Sequence, residues 1–476
     1  MNNDALRFYI DGQWCAPSGT ERRPIINPSN EDVVGHVAMG NSDDVDRAVS
    51  AAKRAFASFS QTSVEDRIAL LEAINAELIR RNDEIADAIS IAMGAPTKLA
   101  RGAQAPSGTQ HFSEIIRLLR EYRFEVPLGS TMIRREPVGV CALITPWNWP
   151  MNQIATKVAP ALGAGCTMIL KPSELAPLDA VILAEIMDTV GVPPGVFNLV
   201  HGDGAGVGER LTSHPDVDMV SFTGSTRAGI AISQNAAPTI KRVALELGGK
   251  SANIILPSAD LSTAIPRSVR DMALNSGQSC NAPTRLFVPR RAYPEVRALA
   301  AQTADAIQVG PADSEAQMGP IANKAQFDRV VAYIEKGITE GADLIAGGCN
   351  KVAGERGGYY VRPTIFGKVT PAMTIAREEI FGPVLSILLY DEVDEAIQLA
   401  NESEYGLSGY VWGEPSDART VAAKLRTGMV HINGASLDTA APFGGYKKSG
   451  NGREWGVFGL EEFLEVKSIY GGIDAR

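Results

Sequence analysis

Cys280 lies in Asn275-Ser-Gly-Gln-Ser-Cys-Asn-Ala-Pro-Thr-Arg285, a loop of small and polar residues between a helical and an extended pattern. A cysteine in an apolar core is an inert packing group, whereas a polar, glycine-containing setting suits a reactive thiol. No histidine stands near it in sequence to serve as its base, so a cysteine–histidine protease arrangement is not supported. Glu246 ends the apolar run Val243-Ala-Leu-Glu. A carboxylate there must be hydrogen-bonded, face a cleft, or carry a raised pKa. The last option suits a general base. Asn148 stands between two tryptophans in Pro146-Trp-Asn-Trp-Pro150. Rigid aromatic neighbours could hold its amide as an oxyanion donor; an ordinary turn asparagine is the plainer alternative.

Three further segments bear on phosphate or ribose binding. Phe222-Thr-Gly-Ser-Thr-Arg-Ala-Gly229 follows an apolar strand pattern and opens a helical one. Free backbone N–H groups and the helix dipole there would face an anion, Gly224 permits close approach, and Ser225 adds a hydroxyl. Lys171-Pro-Ser-Glu174 also follows a strand pattern, where ligands sit in open α/β sheets, and a lysine with a glutamate could hold ribose hydroxyls. His201-Gly-Asp-Gly-Ala-Gly-Val-Gly208 approaches the GxGxxG fingerprint but has Val207 where the third glycine belongs. A glycine-rich strand-to-helix turn explains it equally.

These residues need elements to carry them. Helical spacing begins near Ser42 and continues in an amphipathic stretch from about Val64 to Met93, with Gly94 as its stop. A third helix is expected near Ser113–Tyr122. Short apolar runs then alternate with helical stretches: Gly139–Thr145, Cys166–Leu170, Val196–Val200 and Met219–Thr223. The alternation restarts after Gly249 with Asn253–Leu256 and Arg285–Val288. This is the pattern of parallel sheets covered on both faces, hence α/β, in two units that meet near Gly248-Gly249. The tail, Glu461–Tyr470, reads as a short strand or mixed segment.

Composition agrees. The chain has 476 residues, 45% hydrophobic and 21% charged, with a formal net charge of −10. That is long enough for several domains and too apolar for wholesale disorder. The acidic balance argues against nucleic-acid and anionic-membrane partners. Five scattered cysteines without a CxxC pair argue against a disulfide scaffold or a zinc site, and so for a reducing compartment. No metal is expected. The opening residues lack an apolar signal region and no run reaches membrane-span length, so the expected location is the cytoplasm.

Taken in order, Pro146-Trp-Asn-Trp-Pro150, Lys171-Pro-Ser-Glu174, Phe222-Thr-Gly-Ser225, Glu246-Leu-Gly-Gly-Lys250, Gly277-Gln-Ser-Cys280, Glu379-Ile-Phe-Gly-Pro383 and Pro442-Phe-Gly-Gly445 closely resemble the NAD(P)-dependent aldehyde dehydrogenase superfamily. The resemblance runs from Asp11-Gly12 to the tail. It implies two Rossmann-like doubly wound α/β domains plus a small β oligomerisation element. The expected division is 1–118 with 139–248 for the NAD-binding domain, 249–448 for the catalytic domain, and 119–138 with 460–476 for oligomerisation.

The resemblance also implies roles. Cys280 matches the nucleophile, Glu246 the general base, and Asn148 the side-chain half of an oxyanion hole completed by the Cys280 N–H. Lys157 and Glu454 match a proton relay behind Glu246. Lys171, Ser173 and Glu174 match the adenosine-ribose region, Gly224 and Ser225 the pyrophosphate region, and Glu379 and Phe381 the nicotinamide region. Thr145, Trp147, Gly204 and Leu247 complete the implied cofactor contacts. Trp149, Gln153, Thr156, Ser279, Leu437 and Phe443 would face the aldehyde. Trp149 stands where phenylalanine is frequent, and Thr156 and Leu437 replace aromatic residues of several members, which predicts room for a bulkier or longer aldehyde. A betaine-type aromatic cage is not evident. Glu174 favours NAD, with NADP as a secondary use. The implied partner is a small-molecule aldehyde, with assembly into a homodimer or homotetramer. A CoA-acylating relative and a catalytically silent scaffold are the alternatives. Glu246 argues against the first, and the joint presence of Cys280, Glu246 and Asn148 against the second.

Overall fold

The computed structural model describes residues 5–350 and 357–473. The expected oligomerisation segment 460–476 and the opening of the chain therefore extend partly outside the described residues. Among those described, an eight-stranded sheet has the spatial order Gln13–Cys15, Phe8–Ile10, Phe197–Leu199, Thr167–Lys171, Val140–Ile144, Met219–Thr223, Arg242–Glu246 and Gly450–Asn451. The five strands from Phe197–Leu199 to Arg242–Glu246 are parallel; the flanking ones run antiparallel. A second sheet of seven strands, Asp343–Ala346, Thr364–Gly367, Val384–Tyr390, Arg285–Pro289, Ala252–Ile255, Ser408–Trp412 and Met429–Ile432, is parallel except at its first pair.

Continuous apolar strands are the mark of sheets covered on both sides, and the side chains show the two layers directly. Cys141, Leu143, Met168 and Leu170 belong to one core cluster, while Val140, Ala142, Ile144 and Ile169 belong to another on the opposite face. The second sheet divides likewise, Ile254 and Phe287 on one side and Ile255, Leu286 and Val288 on the other.

Register sets up the site. Ile144 pairs with Lys171 and with Phe222, and Thr223 pairs with Glu246. The carboxyl ends of these parallel strands thus deliver Thr145, Lys171, Gly224 and Glu246 to one edge of the sheet, where open α/β sheets bind ligands.

Three expectations are adjusted by local chemistry. The stretch from Val64 to Met93 is two helices, Val64–Arg80 and Asn82–Met93, because Arg81 leaves the helical region and turns its guanidinium onto Glu84 and Glu185. The third helix, Ala105–Leu119, starts earlier than expected and continues directly from a wider helical turn, Ala100–Gln104. The tail divides into a helix, Gly456–Glu462, and a strand, Leu464–Tyr470. That strand lies antiparallel to Thr131–Pro137, which pairs in turn with Glu125–Leu128, forming the expected small sheet.

Candidate active site

The loop carrying Cys280 begins with three consecutive left-handed residues, Asn275, Ser276 and Gly277. Non-glycine residues adopt that region at a cost, so the surroundings must hold the turn. They do so through buried side chains. Gln104 donates to Asn275 Oδ1 at 2.9 Å, Asn275 Nδ2 donates to the Asn148 carbonyl at 2.8 Å, and Ser276 donates to the Gly319 carbonyl at 2.8 Å. Gln278 reaches both ways, donating to the Asn275 carbonyl at 3.1 Å and accepting from the Ala322 N–H at 2.9 Å. Asn148 donates one N–H to the Gln278 carbonyl at 3.0 Å, which orients the amide and leaves its second N–H for a ligand. Sequence reasoning missed Asn275, Gln278 and Gln104. The first two lie inside the motif that drew attention to Cys280.

Cys280 and Asn148 stand where two cavities meet. One, of about 410 Å³, is walled in part by Trp149, Gln153, Ser279, Leu437, Phe443 and Trp455. The other, of about 240 Å³, is walled by Trp147, Gly224, Ser225, Leu247, Glu379 and Phe381 together with Glu246. Trp149 Nε1 donates to Ser279 Oγ at 2.8 Å, fixing the indole beside the Cys280 loop. Thr156 differs from expectation. It is buried on the helix Pro150–Ala164 and does not wall the larger of these cavities, whereas Gln153, one turn earlier on the same helix, does.

Glycines of the motifs have steric reasons. A Cβ on Gly249 would lie 2.2 Å from the Cys280 carbonyl oxygen, one on Gly248 2.2 Å from Glu379 Oε2, and one on Gly444 2.6 Å from Glu246 Oε1. The backbone of Glu246-Leu-Gly-Gly is therefore pressed against the Cys280 loop and Glu379, and the Gly249 N–H donates to Glu379 Oε1 at 2.8 Å. Ser449, also missed in the sequence, stitches this segment to the C-terminal region, donating to the Gly248 carbonyl at 2.7 Å and accepting from the Gly406 N–H.

Neither Glu246 oxygen has a hydrogen-bond partner, and the side chain is buried. Burial drives its pKa well above the usual carboxylate range, and the nearby Glu454 charge adds to the rise. The Lys157 ammonium opposes it. Lys157 is itself buried, paired with Glu454 and donating to Ser221 Oγ at 3.1 Å. Burial also pushes the Cys280 thiol up, and the carboxylates of Glu379 and Glu246 push it further. A resting thiol of this kind is protonated and needs a base. Glu379 is raised by burial to about 7.

On the other side, Trp147 meets Phe381 edge to face with ring centroids 5.5 Å apart, and Phe381 is held at positive φ. Ser225 caps the helix Thr226–Ala236, accepting from the Ala228 N–H at 3.3 Å. Thr145 and Thr223 each keep a buried hydroxyl without a partner. Lys171 is buried, and its Nζ donates to the carbonyls of Gly202 at 2.6 Å and Pro172 at 3.0 Å, with Glu174 3.7 Å away. Ser173 Oγ accepts from the Leu175 N–H. Gly204 is exposed, in a turn capped by Asp203, and does not reach the cavity around Glu379. Among the described residues no group of histidine, cysteine and carboxylate side chains could hold a metal, and no helix is long and apolar enough to cross a membrane.

The family model for the aldehyde dehydrogenase family matches residues 14–469. The chain belongs to that family. It is 58% identical, over 98% of its length and 99% of the relative's, to a 3-succinoylsemialdehyde-pyridine dehydrogenase from a Pseudomonas species. Its fold matches a crystal structure of a cysteine-to-alanine variant of aldehyde dehydrogenase C from Pseudomonas syringae, complexed with NAD+ and octanal, with TM-score 0.98 and 53% identity over 99% and 98% of the two chains. A betaine aldehyde dehydrogenase from Staphylococcus aureus in complex with NAD+ matches with TM-score 0.95 and 35% identity over 99% and 95%. As an aldehyde dehydrogenase, the chain is an oxidoreductase with the doubly wound α/β architecture of its relatives.

Proposed function

We propose that this aldehyde dehydrogenase oxidises its substrate to the carboxylic acid with NAD, through a thioester on Cys280. The observation that carries the reading is the position of Cys280 and Asn148 at the junction of two cavities, with an unpartnered Glu246 carboxylate in the second. An aldehyde carbon must become tetrahedral before it can release hydride, so a covalent nucleophile is required. Glu246 takes the Cys280 thiol proton, and the sulfur adds to the carbonyl carbon. The free N–H of Asn148 and the Cys280 backbone N–H donate to the oxyanion. NAD, when bound, accepts the hydride. Glu246, relieved of its proton toward the Glu454–Lys157 pair, then deprotonates a water that attacks the thioester, and Cys280 leaves as thiolate.

The residues present fit the cofactor. The unpartnered Thr223 hydroxyl, the capped helix start at Ser225 and the Trp147–Phe381 wall line a path toward Cys280, and Thr145 would complete it from the adjacent strand end. Glu174, at the far end, would accept from a free 2′-hydroxyl and repel a 2′-phosphate. Lys171 is occupied by two carbonyls, which weakens its ability to offset that repulsion. Gly204 and Ser173 would lie toward the adenosine end.

For the aldehyde, the wider cavity supports a long-chain or aryl tail, in keeping with the octanal complex of the one relative and the pyridine-bearing substrate named for the other. The sheet face carrying Leu128, Val466 and Tyr470 is exposed and apolar, which supports assembly into a homodimer or homotetramer. NADH absorbance with an aldehyde panel tests the function. Aldehyde-dependent NADH lost in Cys280→Ala supports it, and full activity in that variant overturns the nucleophile.

A further inference from the structure

The rim of the aldehyde-side cavity is the loop 433–441. It turns sharply at Asn433 and Gly434, both at positive φ, with Asn433 exchanging hydrogen bonds with Gly413 at 2.9 Å in each direction. Its far end is fixed by Asp438, whose Oδ1 accepts from the Ala440 N–H and whose carbonyl accepts from the Ala441 N–H. Between these anchors lie Ser436 and Leu437, both exposed and both on the cavity wall. Leu437 keeps 46% of its surface in water, an apolar side chain held open at a mouth.

One side chain reaches this free span. His431, on the strand Met429–Ile432, places Nδ1 2.8 Å from the Ala435 carbonyl. A carbonyl only accepts, so Nδ1 carries the proton and donates. Nε2 is buried with no partner. The imidazole stacks on Tyr410, the residue opposite it on the adjacent parallel strand, with centroids 4.6 Å apart and an interplanar angle of 11°. Tyr410 in turn donates its hydroxyl to the carbonyl of Asn281, the neighbour of Cys280, at 2.9 Å. Rim loop, imidazole, phenol and nucleophile loop thus form one connected stack along the cavity wall.

We infer that His431 is a specificity-positioning residue: through its bond to Ala435 it holds Leu437 at the distance from Cys280 that suits an aldehyde with a long tail. The inference rests on the aldehyde oxidation proposed above. Trp149, Phe443 and Leu437 wall the same cavity as Cys280, and Leu437 is the exposed member at its mouth. On this inference a tail of several carbons meets Leu437 and a short aldehyde does not, so only the long substrate depends on where that side chain is held. Tyr410, bonded at the nucleophile end of the stack, acts on the reacting geometry for every substrate.

The test compares octanal with propanal. His431→Phe keeps a ring to stack on Tyr410 and removes only the donor to Ala435. The octanal-to-propanal ratio of kcat/KM then falls about five-fold, through KM for octanal with kcat held, the size expected for one hydrogen bond. Leu437→Ala, a surface change, lowers the same ratio, and adding His431→Phe to it produces no further fall. Tyr410→Phe lowers kcat for both aldehydes. An unchanged ratio in His431→Phe and in Leu437→Ala overturns the inference while leaving aldehyde oxidation in place. An equal loss on both aldehydes overturns it too, since a merely structural histidine would do that. If His431→Phe does not fold, the Leu437→Ala ratio decides. NADH formation with neither aldehyde, nor with any other, removes the proposed function and the inference together.

Discussion

Replacing Gly249 by alanine disturbs Cys280, the proposed nucleophile, without touching any group proposed to react. The new methyl would lie 2.2 Å from the Cys280 carbonyl oxygen, whereas Cβ contacts below 3.0 Å are essentially never seen. The two segments must separate by about 0.8 Å, and neither can yield by rotating a side chain, because the obstacle is backbone. Cys280 then moves relative to Asn148, whose amide is fixed through Gln278, and the Gly249 N–H is drawn off Glu379. A misplacement near 1 Å costs about 100-fold in rate, and an overpacked site costs about 1–3 kcal/mol of stability. Steady-state NADH production and thermal unfolding, measured in parallel, separate the two effects. Gly249→Ala is expected to fold, with a lowered Tm, and to lose about two orders of magnitude in kcat. Gly19→Ala, where a methyl meets nothing closer than 3.7 Å, is the control and stays near wild type. A Gly249→Ala enzyme with wild-type kcat would refute the claim that this glycine sets the nucleophile's position.

Other outcomes follow from the same geometry. As the proposed base, Glu246 has to be ionised, so activity falls as pH drops through its raised pKa, above the range of an ordinary carboxylate. Glu454→Gln removes the like charge and moves that acid limb to lower pH, read from the kcat–pH profile. Glu174→Gln removes the carboxylate facing the ribose region and raises kcat/KM for NADP relative to NAD by about 10-fold, the scale of about 1.4 kcal/mol. His111 is buried against Asn152, and burial lowers its pKa from 6.5 to about 4. The unfolded chain therefore binds the proton first, so stability is lost as pH falls from about 6.5 toward 4. Denaturant titration at several pH values should show that loss reduced in His111→Gln.

Much of this was written in local sequence. Runs such as Val140–Ile144 and Met219–Thr223 read as buried strands because both of their faces are covered, and apolar residues fill every position. Arg81 broke a helix that its flanking periodicity made continuous, since periodicity does not register a guanidinium drawn to Glu84 and Glu185. At the site, Cys280, Glu246 and Asn148 were legible because each is a polar group in an unexpected setting. Gln104 and Ser449 were not. Each bonds to a residue far away in the chain, Asn275 and Gly248 respectively, and only the fold brings those partners together. Thr156 and Gln153 show the same limit at finer scale. Both sit on one helix, and only its rotation against the neighbouring elements decides which of them meets the cavity.

The central claim is that oxidation passes through a thioester on Cys280 that Glu246 releases. Glu246→Gln mixed rapidly with NAD and octanal, followed by NADH absorbance and then by mass spectrometry of the quenched protein, tests it directly. Because Glu246→Gln also loses the base that takes the thiol proton, the expected result is a slow rise to about one NADH per site, little turnover after it, and an octanoyl mass on the peptide containing Cys280. Repeated turnover in this variant, or an acyl group found on any other residue, would contradict it.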